Sequence, residues 1–241
     1  MKVSMTCVFG ALVLMAGVAS AAEDQGFYIQ FDAGYSMAAD ANIKDASPAG
    51  TDGPLVVNKL DDVGEAVIYS GIVGYQFNKF FRTDLSYTYR DGFELDDRDD
   101  TGDPNTTYDF KGDITSHNVM VNAYAQMPVW FLTPYVGVGA GWAQNKVESV
   151  SSKLVGQAVS GKTPSSDATD EFAWQVMVGT GITLTKHISL DLGYRYADLG
   201  KLKIDRANSS FTGTPNPTYN LNAAQGDLET HEVKFGIRYL F

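Results

Sequence analysis

Thr230-His231-Glu232-Val233-Lys234-Phe235-Gly236-Ile237-Arg238-Tyr239-Leu240-Phe241 is the last stretch of the chain, and its reading decides the fold. Val233, Phe235, Ile237, Tyr239 and Phe241 fall on one face, and Glu232, Lys234, Gly236, Arg238 and Leu240 on the other. A period of two belongs to a β-strand, whose side chains alternate across the sheet. One face is almost wholly apolar and the other carries charge. What remains to be decided is which side of a closed sheet the apolar face covers.

Seven earlier segments repeat this pattern, at 27–37, 65–77, 81–90, 114–126, 134–144, 171–184 and 188–198. The first alternates Phe27, Ile29, Phe31, Ala33, Tyr35 and Met37 with Tyr28, Gln30, Asp32, Gly34 and Ser36. Their connections alternate in length. Polar stretches at 38–63, 91–113, 145–170 and 199–229 read as long loops, and Asn78-Lys79, 127–132 and Thr185-Lys186-His187 read as short turns. Asp84-Leu85-Ser86-Tyr87-Thr88-Tyr89 is echoed by Asp191-Leu192-Gly193-Tyr194-Arg195-Tyr196, so one half of the chain resembles the other.

Met1 to Ala21 carries Lys2, an apolar run from Val8 to Val18 and a small-residue end at Ala19-Ser20-Ala21, the pattern of a secretory signal peptide. Residues 1–21 are therefore set apart, and 22–241 are expected to form one β domain. The run is too short for a transmembrane helix, and no later stretch approaches the ~20 apolar residues that one needs. The single cysteine, Cys7, lies in the leader, so the mature chain is expected to hold no disulfide.

Losing Lys2 removes one of 18 Lys and Arg and leaves all 29 Asp and Glu, a net charge of about −12 in place of −11. Such acidity argues against nucleic acid as a partner, because phosphate binding needs a basic surface. The mean hydropathy of −0.15 is that of an ordinary soluble protein. Alternation hides a lipid-facing surface from such an average.

Three features direct the apolar face toward lipid rather than a soluble core. The strands run to about 11–13 residues, against about 5–6 in ordinary sheets and about 9–11 for a tilted span. The apolar face begins and ends in aromatics: Tyr35, Tyr87, Tyr89, Trp142, Phe172, Trp174, Tyr194 and Tyr196 toward the long loops, and Phe27, Tyr75, Phe77, Phe81, Tyr239 and Phe241 toward the short turns. Two aromatic girdles suit two membrane interfaces. The polar face is rich in glycine, as side chains converging in a narrow lumen require.

Phe27-Tyr28-Ile29-Gln30-Phe31-Asp32-Ala33-Gly34-Tyr35, Gly74-Tyr75-Gln76-Phe77-Asn78, Tyr135-Val136-Gly137-Val138-Gly139-Ala140-Gly141 and the terminal Tyr239-Leu240-Phe241 resemble the OmpA-like outer-membrane β-barrel family. The chain is most similar to the small surface-antigen barrels of Gram-negative bacteria. The resemblance implies an eight-stranded antiparallel up-and-down barrel in the outer membrane, four long loops outside the cell and three short turns in the periplasm. It also implies that the terminal strand carries an assembly signal, Val233, Phe235, Ile237, Tyr239 and Phe241, read by the barrel-assembly machinery. No peptidoglycan-binding domain follows Phe241, so no wall-anchoring role is expected. The expected partners are outer-membrane lipid and lipopolysaccharide, with a host or matrix ligand at the loops, and the expected state is a monomer.

The lumen face offers Asp32, Asp84, Asp191 and Glu232 against Arg82, Arg90, Arg195, Lys234 and Arg238. An eight-stranded barrel is just wide enough for side chains to fill it, and buried charges must be paired. These nine residues are expected to form a lumenal ionic network, with Lys234 and Arg238 reaching Asp32 and Asp191 from the closing strand. An ion path through that network is the alternative.

Asp97, Asp99 and Gly102 match positions one, three and six of a calcium loop, but Thr101 stands at five and Tyr108 at twelve, where that loop needs a bidentate Glu. A solvated, self-repelling loop is expected instead, with loose divalent-cation binding that bridges anionic lipopolysaccharide as the alternative. His117, His187 and His231 meet no nucleophile and orienting acid, so no catalytic site, cofactor or metal is expected. Phe93, Tyr108, Phe110, Phe211 and Tyr219 are single aromatics in the loops, where a rigid barrel places binding function. The expected role is a non-enzymatic surface protein making adhesive or ligand contacts through its loops; the alternative is a narrow channel.

Overall fold

The computed structural model describes residues 25–40, 44–45, 64–100, 107–147, 151–154, 160–162, 168–204, 207–212, 218–221 and 224–241. Eight long strands carry the fold: β1 (Gly26–Asp40), β2 (Glu65–Gln76), β3 (Phe81–Asp100), β4 (Thr107–Gln126), β5 (Leu132–Val147), β6 (Thr169–Thr183), β7 (Ile188–Ile204) and β8 (Ala224–Leu240). Each pairs antiparallel with the next, and β8 closes on β1 from Tyr28↔Leu240 to Ala38↔Thr230. The result is a closed barrel without an open edge among these strands in the span where all eight pair. An apolar solvent demands this, because it cannot satisfy an unpaired backbone group.

The alternation of burial answers the question of the two faces. Phe31, Val121, Trp142, Phe235 and Ile237 are exposed on the barrel's outside, while their neighbours Asp32, Asn122, Ala143, Lys234 and Arg238 are buried within it. A soluble protein would invert this arrangement. The three short connections lie together at one end. In the first, the Asn78 side chain accepts hydrogen bonds from the amides of Phe80 and Phe81 at 2.8 and 3.0 Å and so supplies the turn.

At the other end the strands run further than their hydrophobic pattern predicts. The loop expected over 91–113 is largely strand: β3 continues to Asp100 and β4 begins at Thr107, paired from Phe93↔Ile114 to Asp100↔Thr107. A register shift between Arg90 and Phe93, with Gly92 at φ 95°, lets the hairpin continue. Acidic residues have low strand propensity, so backbone pairing prevails over local preference here. Similarly, β7 continues past a second shift at Asp198/Lys201, with Gly200 at φ 74°, and pairs with Ala224–Asp227 of β8.

The remaining loops also contain short strands. Ser151–Leu154 pairs with β4, Ser160–Lys162 with Ser151–Lys153, Ala207–Thr212 with Ser160–Lys162, and Thr218–Leu221 with Ala207–Ser210. Segments from three long connections thus join one sheet that rises from the rim. Lys44–Asp45 of the first connection pairs with Ala224–Gln225. The leader expected at 1–21 lies outside the described residues.

Candidate functional site

The lumen is occupied by side chains in three tiers. Nearest the short turns, Arg82 is enclosed by tyrosines: its guanidinium carbon lies 4.2, 4.8 and 5.7 Å from the ring centroids of Tyr124, Tyr135 and Tyr28. Cation–π attraction of this kind strengthens where water is excluded. The phenols are tied down in turn, Tyr28 donating to Asp84 and Tyr135 to Asp191, each at 2.7 Å. Arg82 also lies 3.8 Å from Asp191, and the Arg238 guanidinium lies 5.7 Å from Tyr28.

The middle tier is polar. Lys234 donates to Asp32 at 2.6 Å, and Gln30 donates to the other Asp32 oxygen at 2.7 Å. Asn122 donates to Asp84 at 2.6 Å and accepts from Gln175 at 2.6 Å, linking β3, β4 and β6.

The third tier is an Arg–Glu–Arg cluster. Glu232 accepts from Arg90 Nε at 2.7 Å and from Arg195 Nε, with Arg195 Nη2 beside it in the ion pair and Thr230 and Ser36 adding hydroxyl bonds at 3.0 and 3.1 Å. Arg90 and Glu232 are 0% exposed and Arg195 2%. Arg90 lies on β3 and Glu232 on β8, so this pair spans the lumen rather than two neighbouring strands. Around and above it apolar side chains predominate: Ile68, level with Arg90, and Phe93, Ile114, Ala143, Ala173, Leu199, Leu202 and Leu228 are all buried, with Ser116 donating to Asn145 at 2.8 Å among them.

Glycines make the filling sterically feasible. A Cβ on Gly137 would come 2.5 Å from the Tyr124 ring, and one on Gly179 2.5 Å from the Tyr135 hydroxyl. Ordinary side chains there would overpack the interior.

The structure places all nine sequence-nominated charges inside the barrel. Lys234 meets Asp32, whereas the ion pair of Asp191 is to Arg82 from β3 and Arg238 lies over Tyr28 instead. Sequence reasoning put Tyr28 on the polar face but gave Tyr28, Tyr124 and Tyr135 no role in filling the lumen, and it missed the apolar cap. The signal was present as parity: all three tyrosines stand on the polar register of their strands. Phe93, read as a loop aromatic, is 0% exposed inside the cap, because the register shift at Arg90/Phe93 turns it inward.

Val233, Phe235, Ile237, Tyr239 and Phe241 line the outer face of β8 and are exposed, with Tyr239 edge-on to Phe241 at 5.0 Å. His117 and His231 stand on the outer face near the long-loop end, hydrogen-bonded to Tyr87 and Tyr194; His187, in a short turn, contacts the Leu240 carbonyl. The acidic stretch offered as a calcium loop is extended backbone from Asp96 to Asp100, and 101–106 lie outside the described residues.

Comparison with known proteins bears on the whole chain. The profile of the outer membrane protein β-barrel domain family matches residues 7–241. An uncharacterized protein of Brucella suis biovar 1 is 29% identical over 192 residues, which covers 70% of this chain and 66% of that relative. The chain thus spans just under two thirds of the length of that relative. Outer membrane protein PagN of Salmonella typhimurium is 26% identical over 246 residues, covering 98% of this chain and 97% of PagN. Among solved structures, OprG from Pseudomonas aeruginosa aligns with a TM-score of 0.52 at 14% identity over 90% of this chain and 97% of OprG, a likeness of fold alone.

Proposed function

The chain belongs to the outer membrane protein β-barrel domain family and resides in the outer membrane of Gram-negative bacteria, and from that premise we propose that it is a closed, non-enzymatic surface barrel. Its long-loop end faces the outside, its short turns face the periplasm, and the sheet raised above the rim contacts ligands or host surfaces. Lipopolysaccharide surrounds the outer half of the barrel, and the protein acts as a monomer. Residues 1–21 direct export, 22–241 form the barrel, and the outer face of β8 with Phe241 is read by the assembly machinery.

One observation carries this reading: the lumen is filled from the Arg82 tyrosine cage to the Glu232 cluster and capped by apolar side chains. A filled lumen leaves the extended hairpins as the surface available for selective contact. Long segments held by a rigid scaffold are where binding function concentrates. The refolded protein, compared with a variant in which 93–114 is replaced by a four-residue turn, should bind host matrix or host cells, and the variant should not. Equal binding by both removes the hairpin from the proposal.

A narrow channel is the second reading, favoured by buried polar atoms without a hydrogen-bond partner among the described residues: Arg82 Nε, Asp191 Oδ2 and Arg238 Nη1. Planar-bilayer recordings separate the two. The closed barrel gives no stable large conductance, and simultaneous Arg82→Ala, Tyr124→Ala and Tyr135→Ala substitution opens one.

A further inference from the structure

Two copies of one side-chain arrangement stand on opposite outer walls of the barrel. On β3 and β4, Tyr89 pairs directly across from His117, and Tyr87, two residues nearer the short turns, bonds through its hydroxyl to His117 Nδ1 at 2.6 Å. On β7 and β8, Tyr196 pairs across from His231, and Tyr194 bonds to His231 Nδ1 at 2.5 Å. Both imidazoles lie against their tyrosines, with centroid distances of 6.0 and 4.8 Å in the first copy and 6.0 and 5.4 Å in the second. The internal echo of 84–89 in 191–196 supplies the tyrosines. The histidines come from the following strand at equivalent register.

The height of these groups is informative. His231 lies ten residues up β8 from Phe241, and His117 nine up β4 from Gln126. At about 3.4 Å per residue and a tilt of about 35–45°, both lie roughly 25 Å above the short-turn rim. The apolar band of such a barrel is about 25 Å tall, so both imidazoles are level with the outer-leaflet headgroups. They stand in the upper aromatic girdle with Trp142, Trp174 and Tyr35 exposed at similar height.

The hydrogen bonds set the chemistry. A phenol is the better donor and an unprotonated imidazole nitrogen the better acceptor, so the tyrosine donates to Nδ1 and the ring proton resides on Nε2. Among the described residues no hydrogen bond reaches Nε2 of either ring. An N–H at a lipid boundary is costly unless an acceptor meets it. At this level and on this side of the wall, the acceptors are lipid headgroup oxygens.

A lysine stands near each imidazole, among acids that keep their charge. By strand alternation Lys146 follows Gln144, the cross-strand partner of His117, on the outer face of β5, and Lys201 lies on β7 beyond Asp198. In the second copy Glu229 accepts from Tyr196 at 2.6 Å, Asp198 accepts from Trp174 at 3.0 Å, and Asp227 stands in backbone register with Lys201. Near the first copy, Asp170 accepts from Gln144 at 2.9 Å, and Asp91 lies on β3 two residues beyond Tyr89.

We propose that His117 and His231 form two equivalent lipid-phosphate sites, each donating Nε2–H to a phosphate of the phosphorylated glycolipid of the outer leaflet. Each tyrosine pair orients the imidazole and packs beside the lipid's acyl chains. The proposal rests on the orientation given above and specifies where lipopolysaccharide contacts the barrel.

The test uses the full mature chain refolded into nanodiscs containing bisphosphorylated lipid A, its dephosphorylated form or phosphatidylcholine alone. Native mass spectrometry should find two retained lipid A molecules on the wild type. One should remain on His117→Phe or His231→Phe and none on the double variant, with retention at least tenfold lower after dephosphorylation. Imidazole ¹⁵N spectra of the wild type provide a readout that no variant's folding can obscure: both Nε2 resonances should shift with bisphosphorylated lipid A and not with phosphatidylcholine. Unchanged retention in the double variant, indifference to dephosphorylation, or unmoved Nε2 resonances would overturn the proposal. Labelling of Asp100→Cys on intact cells reads the orientation separately, so a failure there is distinguishable from a failure of the sites.

Discussion

Glu232→Ala isolates the energetics of the filled lumen. The carboxylate receives Nε of Arg90, Nε of Arg195 and the hydroxyls of Thr230 and Ser36, in an ion-paired cluster whose three charged members are at most 2% exposed. Removing one partner of a buried ion pair costs about 3–5 kcal/mol, because the other charge remains buried and uncompensated. Here two guanidiniums are stranded together, so the loss should reach at least the upper part of that range. Glu232→Gln keeps an acceptor and should cost less. Replacing Glu232, Arg90 and Arg195 together by apolar residues of similar volume should recover most of the loss, since it removes the unpaired charges as well.

The assay is denaturant unfolding of the barrel in lipid vesicles, followed by the fluorescence of Trp142 and Trp174 and by heat-modifiable gel migration. A change below about 1 kcal/mol for Glu232→Ala, the range typical of exposed pairs, would mean that water reaches the cluster and that the lumen is not filled as described.

Other outcomes follow from the same contacts. Tyr135→Phe removes the donor to Asp191 and should cost about 1–3 kcal/mol in the same unfolding assay, as expected when a buried acceptor loses a partner. Gly179→Val should slow or prevent refolding, at about 1–3 kcal/mol or more for overpacking against Tyr135, read as loss of the heat-modifiable band. Phe241→Ser should lower the amount of barrel assembled in cells several-fold while leaving the vesicle unfolding midpoint of refolded protein nearly unchanged, since Phe241 is 59% exposed, its ring lies edge-on to Tyr239, and its amide bond to the Phe27 carbonyl does not depend on the side chain. Replacing 93–114 by a four-residue turn should leave the eight-stranded span folded, as measured by protease protection in vesicles.

The sequence by itself determined the eight strands, their order, the short and long ends, and which residue of each strand faces which way. These follow from a period of two and the spacing of turns, which are local properties carried by residues such as Val233 to Phe241. It also determined that nine charges share the interior, because parity alone sends them there.

Only the tertiary structure decided who meets whom. Glu232 on β8 reaches Arg90 on β3, and Arg82 on β3 rather than Arg238 takes Asp191. These contacts cross the lumen, and their register depends on the stagger of eight strands around a closed circle, which no single strand encodes. The outward continuation of the hairpins was likewise invisible, because pairing beyond the rim is stabilised by the neighbouring strand and not by the acidic residues that form it. The two Tyr–His copies show both levels at once: the repeat of 84–89 in 191–196 is written in the chain, while the histidine beside each appears only when β4 and β8 are laid alongside.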